Sequence, residues 1–197
     1  MMNIRKARKT ESGLIASLIM EAMDAECCQY LAGPEHTLEE FHQLMSQLVS
    51  ESGNLYSYQN ILAAVDDRDR IMGICVSYDG AQFRQLREPF IQKAKENFGI
   101  DHSQLQDETN GGELYIDSLC VVESARHQGI ATALLKTVLQ QAGQSGFQSA
   151  GLLVDKNNPK AERLYLSLGF HYVEDASWAG HAMKHLMRSV PGADNNQ

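Results

Sequence analysis

The residues Arg126-His127-Gln128-Gly129-Ile130-Ala131 stand between an apolar stretch, "ELYIDSLCVV" (113–122), and an apolar-periodic segment that runs to about Ala142. A helix entered from a strand through glycine presents backbone N–H groups without intrahelical acceptors, together with the positive end of the helix dipole. Such an end binds phosphate. Gly129 permits close backbone approach, Ala131 keeps the first turn narrow and Arg126 adds a permanent cation. Gln128 and Thr132 supply further hydrogen-bond donors. The chemistry indicated is anion binding. A P-loop is excluded, because no Gly-Lys-Ser/Thr occurs in the chain. A dinucleotide fingerprint needs three glycines early in a βαβ unit, whereas this turn has one glycine and sits late.

A second segment, "NPKAERLYLSLGF" (158–170), has the composition of a capped helix. Asn158 is a favourable N-cap and Pro159 a favourable first helical residue. Gly169 suits the left-handed position after the helix, and Phe170 can fold back on it. Ala161, Leu164, Tyr165 and Leu168 share one face. Taken together, Arg126-x-x-Gly129-x-Ala131 resembles the (R/Q)xxGx(G/A) signature of the GNAT N-acetyltransferase superfamily. The second segment resembles the same superfamily's N-x-x-A-x-x-L-Y-x-x-x-G-F. The two occur in the family's order, each preceded by a strand, and the order of elements over roughly residues 3–190 fits as well.

The resemblance implies an α/β fold: a central, mixed, mostly antiparallel twisted sheet with a splayed strand pair and flanking helices. It implies acetyl-CoA as co-substrate, no metal, and direct attack of a primary amine on the thioester through a tetrahedral intermediate. By the same likeness, Leu119, Cys120 and Val121 offer backbone groups to the pantetheine arm. The pyrophosphate meets the N–H groups of His127, Gln128, Gly129, Ile130, Ala131 and Thr132, with Arg126 nearby. Asn158 matches a position that contacts pantetheine or the acyl end, and a plain N-cap accounts for it equally well.

Tyr165 matches the family's general acid. A phenol of pKa about 10 suits protonation of a departing thiolate of pKa about 8–9. Acceptance by an amine needs a base, because a Lys-like amine is protonated at neutral pH. Glu113 and Asp117 lie four apart on one strand, hence on the same face. Asp117 is the favoured base, being nearer the pantetheine-binding end, with Glu113 the alternative. Cys120 reads as a small buried residue rather than a nucleophile. His181 and His185 have i, i+4 spacing but fall in a strand and lack a third ligand. Trp178 reads as packing. A non-catalytic CoA-binding sensor or interaction module remains the alternative function.

The elements that must position these residues follow from periodicity. "MNIRKAR" is a first strand, "SGLIASLIMEAMDAECCQYLAG" one helix, and Thr37 with Glu40 a capping box for a helix over "LEEFHQLMSQLVS". "NILAAVDDRDRIMGICVSYDG" is a hairpin, "SAGLLVD" a strand, and "HYVEDAS" with "GHAMKHLMRSV" two closing strands. Residues 81–112 are a helical insertion, with Phe83, Leu86, Phe90 and Ala94 at helical spacing. It is expected to be either a lid hinged at Gly111-Gly112 or a surface decoration. One domain spans 1–190, and 191–197 read as a disordered tail.

Composition bounds the partners. A net charge of -8 over 197 residues argues against nucleic acid, whose binding is dominated by Lys and Arg on phosphates. Four cysteines without CxxC or metal spacing fit reduced thiols in a cytoplasmic setting. The short apolar run "LIASLIM" is neither a signal segment nor a membrane span. The acceptor is expected to be a small-molecule amine or a peptide or protein amine, and homodimer formation stays open.

Overall fold

A computed structural model describes residues 2–109 and 111–190, so the expected tail at 191–197 lies outside the described residues. The elements are β1 (Asn3–Lys6), α1 (Ser12–Met23), α2 (Ala25–Ala32), α3 (Leu38–Ser50), β2 (Ile61–Val65) and β3 (Ile71–Asp79). They continue as α4 (Phe83–Phe98), β4 (Leu114–Val121), α5 (Ile130–Gln144), β5 (Ser149–Asp155), α6 (Pro159–Ser167), β6 (His171–Trp178) and β7 (His181–Ser189). The seven strands form one sheet in the order β1-β2-β3-β4-β5-β7-β6. All neighbours are antiparallel except β4 and β5. This is the mixed, mostly antiparallel sheet expected.

Each face of the sheet has its own core. On one face α1 to α4 pack Ile15, Phe41, Leu48, Phe83 and Ala94 against Ala63, Ile74, Val76 and Tyr115. On the other, α5 packs Ile130, Leu134, Leu135 and Val138 against Leu62, Ala64, Cys75 and Leu152. β2 is buried along its whole length because helices cover both sides. The capping box at Thr37 is formed: its hydroxyl accepts from Glu40 N at 3.2 Å and its own N–H donates to Glu40 Oε2 at 2.7 Å.

One expectation is corrected. The single helix over residues 12–33 is two helices, because Asp24 takes φ 69° and ψ 164°. Its carboxylate accepts the N–H of Cys27 at 2.8 Å, so a side chain replaces a helical carbonyl and restarts the helix in a new direction. The insertion helix α4 buries Phe83, Phe90, Ile91, Ala94 and Phe98, and its aromatic residues belong to the first core.

The site-forming feature is a fork. β4 and β5 pair in parallel only at Leu114–Ala150 and Tyr115–Gly151, although β4 runs on to Val121 and β5 to Asp155. Each strand keeps its outer neighbour: β4 stays on β3, and β5 on β7. Along β4, Val76 opposes Ser118 and Ser77 opposes Ile116, which leaves Asp117 as the extra residue of a β-bulge.

A buried polar clasp closes the root of the fork. Glu113, 2% exposed, lies across Gly151, where an added Cβ would sit 1.7 Å from its Oε2. Its carboxylate accepts from Thr109 Oγ1 at 2.8 Å and meets His185 Nε2 at 3.2 Å on β7. The Glu113 hydrogen bond raises the His185 pKa against the opposing effect of burial. Glu174 on β6, 3.7 Å from His185 Nδ1, adds to the rise.

Two outcomes follow from the clasp. Gly151→Ala should destabilise the fold by about 1–3 kcal/mol, because the methyl group must displace a buried carboxylate, and thermal unfolding reads this directly. A folded-state pKa above the unfolded value gives stability that is complete below about pH 6.5 and is lost as pH rises through the folded value. The stability difference between the wild type and His185→Gln should therefore shrink as pH rises above neutrality. A difference independent of pH would contradict the charged clasp.

Candidate active site

Where β4 and β5 part, a cavity of about 490 Å³ opens, lined by residues of both cores. β4 contributes Asp117, Ser118 and Leu119, and β5 contributes Leu153, Val154 and Asp155. α6 supplies Tyr165, and the break between α1 and α2 brings Glu21, Asp24 and Cys27 to the rim. Glu108, from the segment after α4, and Trp178, from the end of β6, complete the walls.

The structure thus brings together Asp117, Leu119, Asn158 and Tyr165 from the residues singled out in the sequence. Asn158 is exposed, and its side chain accepts the N–H of Ala161 at 3.1 Å, as an N-cap does. Glu113 falls just before the first residue of β4 rather than on the strand with Asp117, and it stands apart from the cavity, committed to the clasp. Cys120 is buried, and burial pushes its thiol up to about 12, which keeps it protonated. Val121 follows it along β4, paired to Gly73 on the β3 side.

The turn from 126 to 132 lies beside the cavity rather than in its lining. His127 and Gly129 take left-handed conformations, φ 62° and 76°. Alternation with left-handed residues is how backbone anion concavities are built. The carbonyl of Gly129 is the first to accept in α5, from Ala133 N at 3.0 Å. The N–H groups of Ile130, Ala131 and Thr132 therefore have no helical acceptor. Arg126 is ion-paired with Glu21 and donates to Val121 O at 3.1 Å. Because Glu21 also lines the cavity, this pair links the turn to the cavity rim.

Burial dominates the electrostatics. Tyr165 packs edge-on to Phe170, with ring centroids 6.0 Å apart, and burial holds its hydroxyl well above the usual tyrosine pKa. It is protonated at neutral pH. Asp117 accepts from Tyr78 OH at 2.7 Å and Ser118 Oγ at 2.6 Å. Burial raises its pKa, and the two hydrogen bonds oppose that rise. Glu108 accepts from Tyr115 OH at 2.9 Å, and burial followed by the charge of Asp117 pushes it up to about 8.

Sequence reasoning passed over Glu108, Glu21 and the cavity role of Trp178. The length of the insertion was the one signal available for Glu108, since no motif surrounds it. Trp178 does pack against the first core, as expected, and also faces the cavity.

The fork suits an extended, amide-bearing, phosphorylated ligand. The facing edges of β4 and β5 beyond Tyr115 and Gly151 are unpaired with each other, so backbone groups are free for a pantetheine-like arm. The start of α5 and Arg126 suit a pyrophosphate. Comparison with known proteins agrees with this geometry. The family described as Acetyltransferase (GNAT) matches residues 21–170. A crystal structure of an acetyltransferase is similar at 29% identity and TM-score 0.75, covering 95% of this chain and 99% of that one. An N-acetyltransferase from Staphylococcus aureus Mu50 shares the fold at 21% identity and TM-score 0.81, covering 94% of this chain and 100% of that one. The chloroplastic GCN5-related N-acetyltransferase 6 of Arabidopsis thaliana is 45% identical over 60 residues, 30% of this chain and 21% of that relative's length. Among the described residues no helix is long and apolar enough to cross a membrane. The chain belongs to the GNAT acetyltransferase family and is an acyltransferase.

Proposed function

We propose that this acyltransferase moves the acetyl group of acetyl-CoA directly to a cationic primary amine bound in the fork. One observation carries the reading. The cavity that holds Tyr165 and Asp117 is also lined by the carboxylates of Glu21, Asp24 and Asp155, and by no Lys or Arg among the described residues. Such a lining attracts an ammonium group and repels an anionic acceptor. Diamines, amino sugars and peptide amines all carry that charge.

The residues that would hold acetyl-CoA are Leu119, Cys120 and Val121 through their backbone, Asn158 at the acyl end, and residues 126–132 at the pyrophosphate. Once bound there, it supplies a thioester carbonyl carbon as electrophile and a thiolate as leaving group. A phosphate on Arg126 competes with Glu21 for the guanidinium, which returns a carboxylate to the cavity rim. Asp117, turned out of the ladder by the bulge, is the β4 carboxylate of the group that takes the amine proton, directly or through water. Tyr165, kept protonated by burial, donates to the departing sulfur. Leu153 and Trp178 give the cavity apolar walls that limit water.

The insertion acts in this reading as a fixed wall. Its helix is held by five buried side chains, so a lid motion would cost the burial of Phe83, Phe90 and Phe98.

Thiol release from acetyl-CoA, measured against a panel of diamines, amino sugars and peptides, tests the proposal. Tyr165→Phe should lower kcat by about 10²-fold or more. Arg126→Ala should raise KM for acetyl-CoA about 10-fold with little change in kcat. Release from no amine, while CoA still raises the melting temperature, would instead favour a CoA-binding module without turnover.

A further inference from the structure

The segment from Leu105 to Thr109 is fixed more tightly than a connecting loop requires. On one side Arg87 donates to the carbonyls of Leu105 at 3.0 Å and Gln106 at 3.1 Å, and to Asp107 Oδ1 at 3.0 Å. Its guanidinium also lies over the Phe83 ring, 4.8 Å from the centroid. Arg84 Nε adds a second bond to Asp107 at 2.6 Å, and Ser177 Oγ on β6 donates to Gln106 at 2.8 Å. On the other side Thr109 donates to the buried Glu113. Between these two anchors stands Glu108, whose side chain enters the cavity against Tyr115.

We infer that Glu108 is a catalytic proton acceptor supplied by the insertion, sharing one proton with Asp117, in a segment that Arg87 and Glu113 anchor. The inference rests on the acetyl-transfer reading given above. Two carboxylates in one enclosed cavity do not ionise independently, because each charge raises the cost of the other. Asp117 has two hydroxyl donors, Tyr78 and Ser118, that stabilise its charge. Glu108 has one, Tyr115. The shared proton therefore resides on Glu108, and the direction of its pKa agrees. Titratable groups facing Glu108 are Asp117 and Tyr115 on β4, Tyr78 on β3, Arg87 on α4, and Cys27 and Tyr56 across the cavity. Arg87 alone among them carries positive charge and moderates the rise.

The proton balance is simple. With Glu108 ionised, an N–H bond of the bound ammonium breaks and an O–H bond forms on Glu108. The positive and negative charges cancel, and a neutral amine remains with its lone pair free. A group that titrates near pH 8 is well matched to this step, since it accepts the proton without holding it irreversibly. An ordinary carboxylate would be too weak a base.

Two measurements test the inference. In the first, carboxyl NMR of the protein labelled with ¹³C-Glu follows Glu108, assigned by its loss in Glu108→Gln. Glu108 should titrate near pH 8 in the wild type, and Asp117→Asn should move it down by about one pH unit or more by removing the adjacent charge. In the second, kcat at saturating substrates is followed against pH with the same amine panel. The wild type should gain activity through the Glu108 titration, and Asp117→Asn should shift that limb to lower pH. Glu108→Gln should abolish the limb and lower kcat by about 10²-fold or more, with KM for acetyl-CoA unchanged. Titration of Glu108 in the ordinary glutamate range, or a Glu108→Gln profile that overlays the wild type, would overturn the inference. Wild-type silence toward every amine would overturn acetyl transfer, and with it the catalytic role. The NMR titration needs no turnover and decides the shared proton in either case.

Discussion

Two strands that begin as neighbours and then separate are the constraint on which this molecule depends. After Tyr115 and Gly151, β4 and β5 satisfy their outer edges and leave their inner edges facing a gap. Unpaired backbone groups are costly when enclosed. A sheet that keeps such a gap must be held open by its surroundings or filled by a ligand. Here the root is closed by Glu113 lying across Gly151 to reach His185. The outer strands are held by helices packed on both faces. Everything chemical in the molecule then collects at the mouth.

The carboxylates show how position assigns roles. Glu113 stands just before β4 and Asp117 within it, yet one is clasped and the other faces the cavity. The difference lies in the partners: Gly151 makes room for Glu113 to cross β5, and the bulge takes Asp117 out of the ladder. Glu108 arrives from another part of the chain and lines the same cavity as Asp117. Arg126, the one permanent cation in the turn before α5, is meanwhile paired with Glu21, so the turn and the cavity rim are linked by one ion pair.

Much of the fold was legible because its signals are local. The Thr37–Glu40 capping box, the Asn158-Pro159 start and the apolar spacing along α4 each report on hydrogen bonds or burial within a few residues. The fold class and the turn at 126–131 followed from motifs of the same short range. What stayed hidden was long-range. The helix break at Asp24 needs a positive φ that an aspartate adopts only occasionally, with no glycine or proline to announce it. The bulge at Asp117 depends on how β3 aligns opposite. Glu108 lies in a polar stretch whose place is set by Arg87 on α4 and by Glu113, so no spacing rule could bring it into the cavity with Asp117. The insertion read as lid or ornament because helical periodicity shows that a face is buried without showing against what.

The fork and the adjoining helix start are together proposed as the cradle for acetyl-CoA. Amide hydrogen exchange with and without CoA tests it most directly, because the protection sought lies on named backbone groups. The account predicts slowed exchange at residues 117–121 of β4 and 127–132 at the start of α5 when CoA is added, with β1 and β2 unchanged. Protection confined to other elements, or none at either segment under saturating CoA, would contradict it.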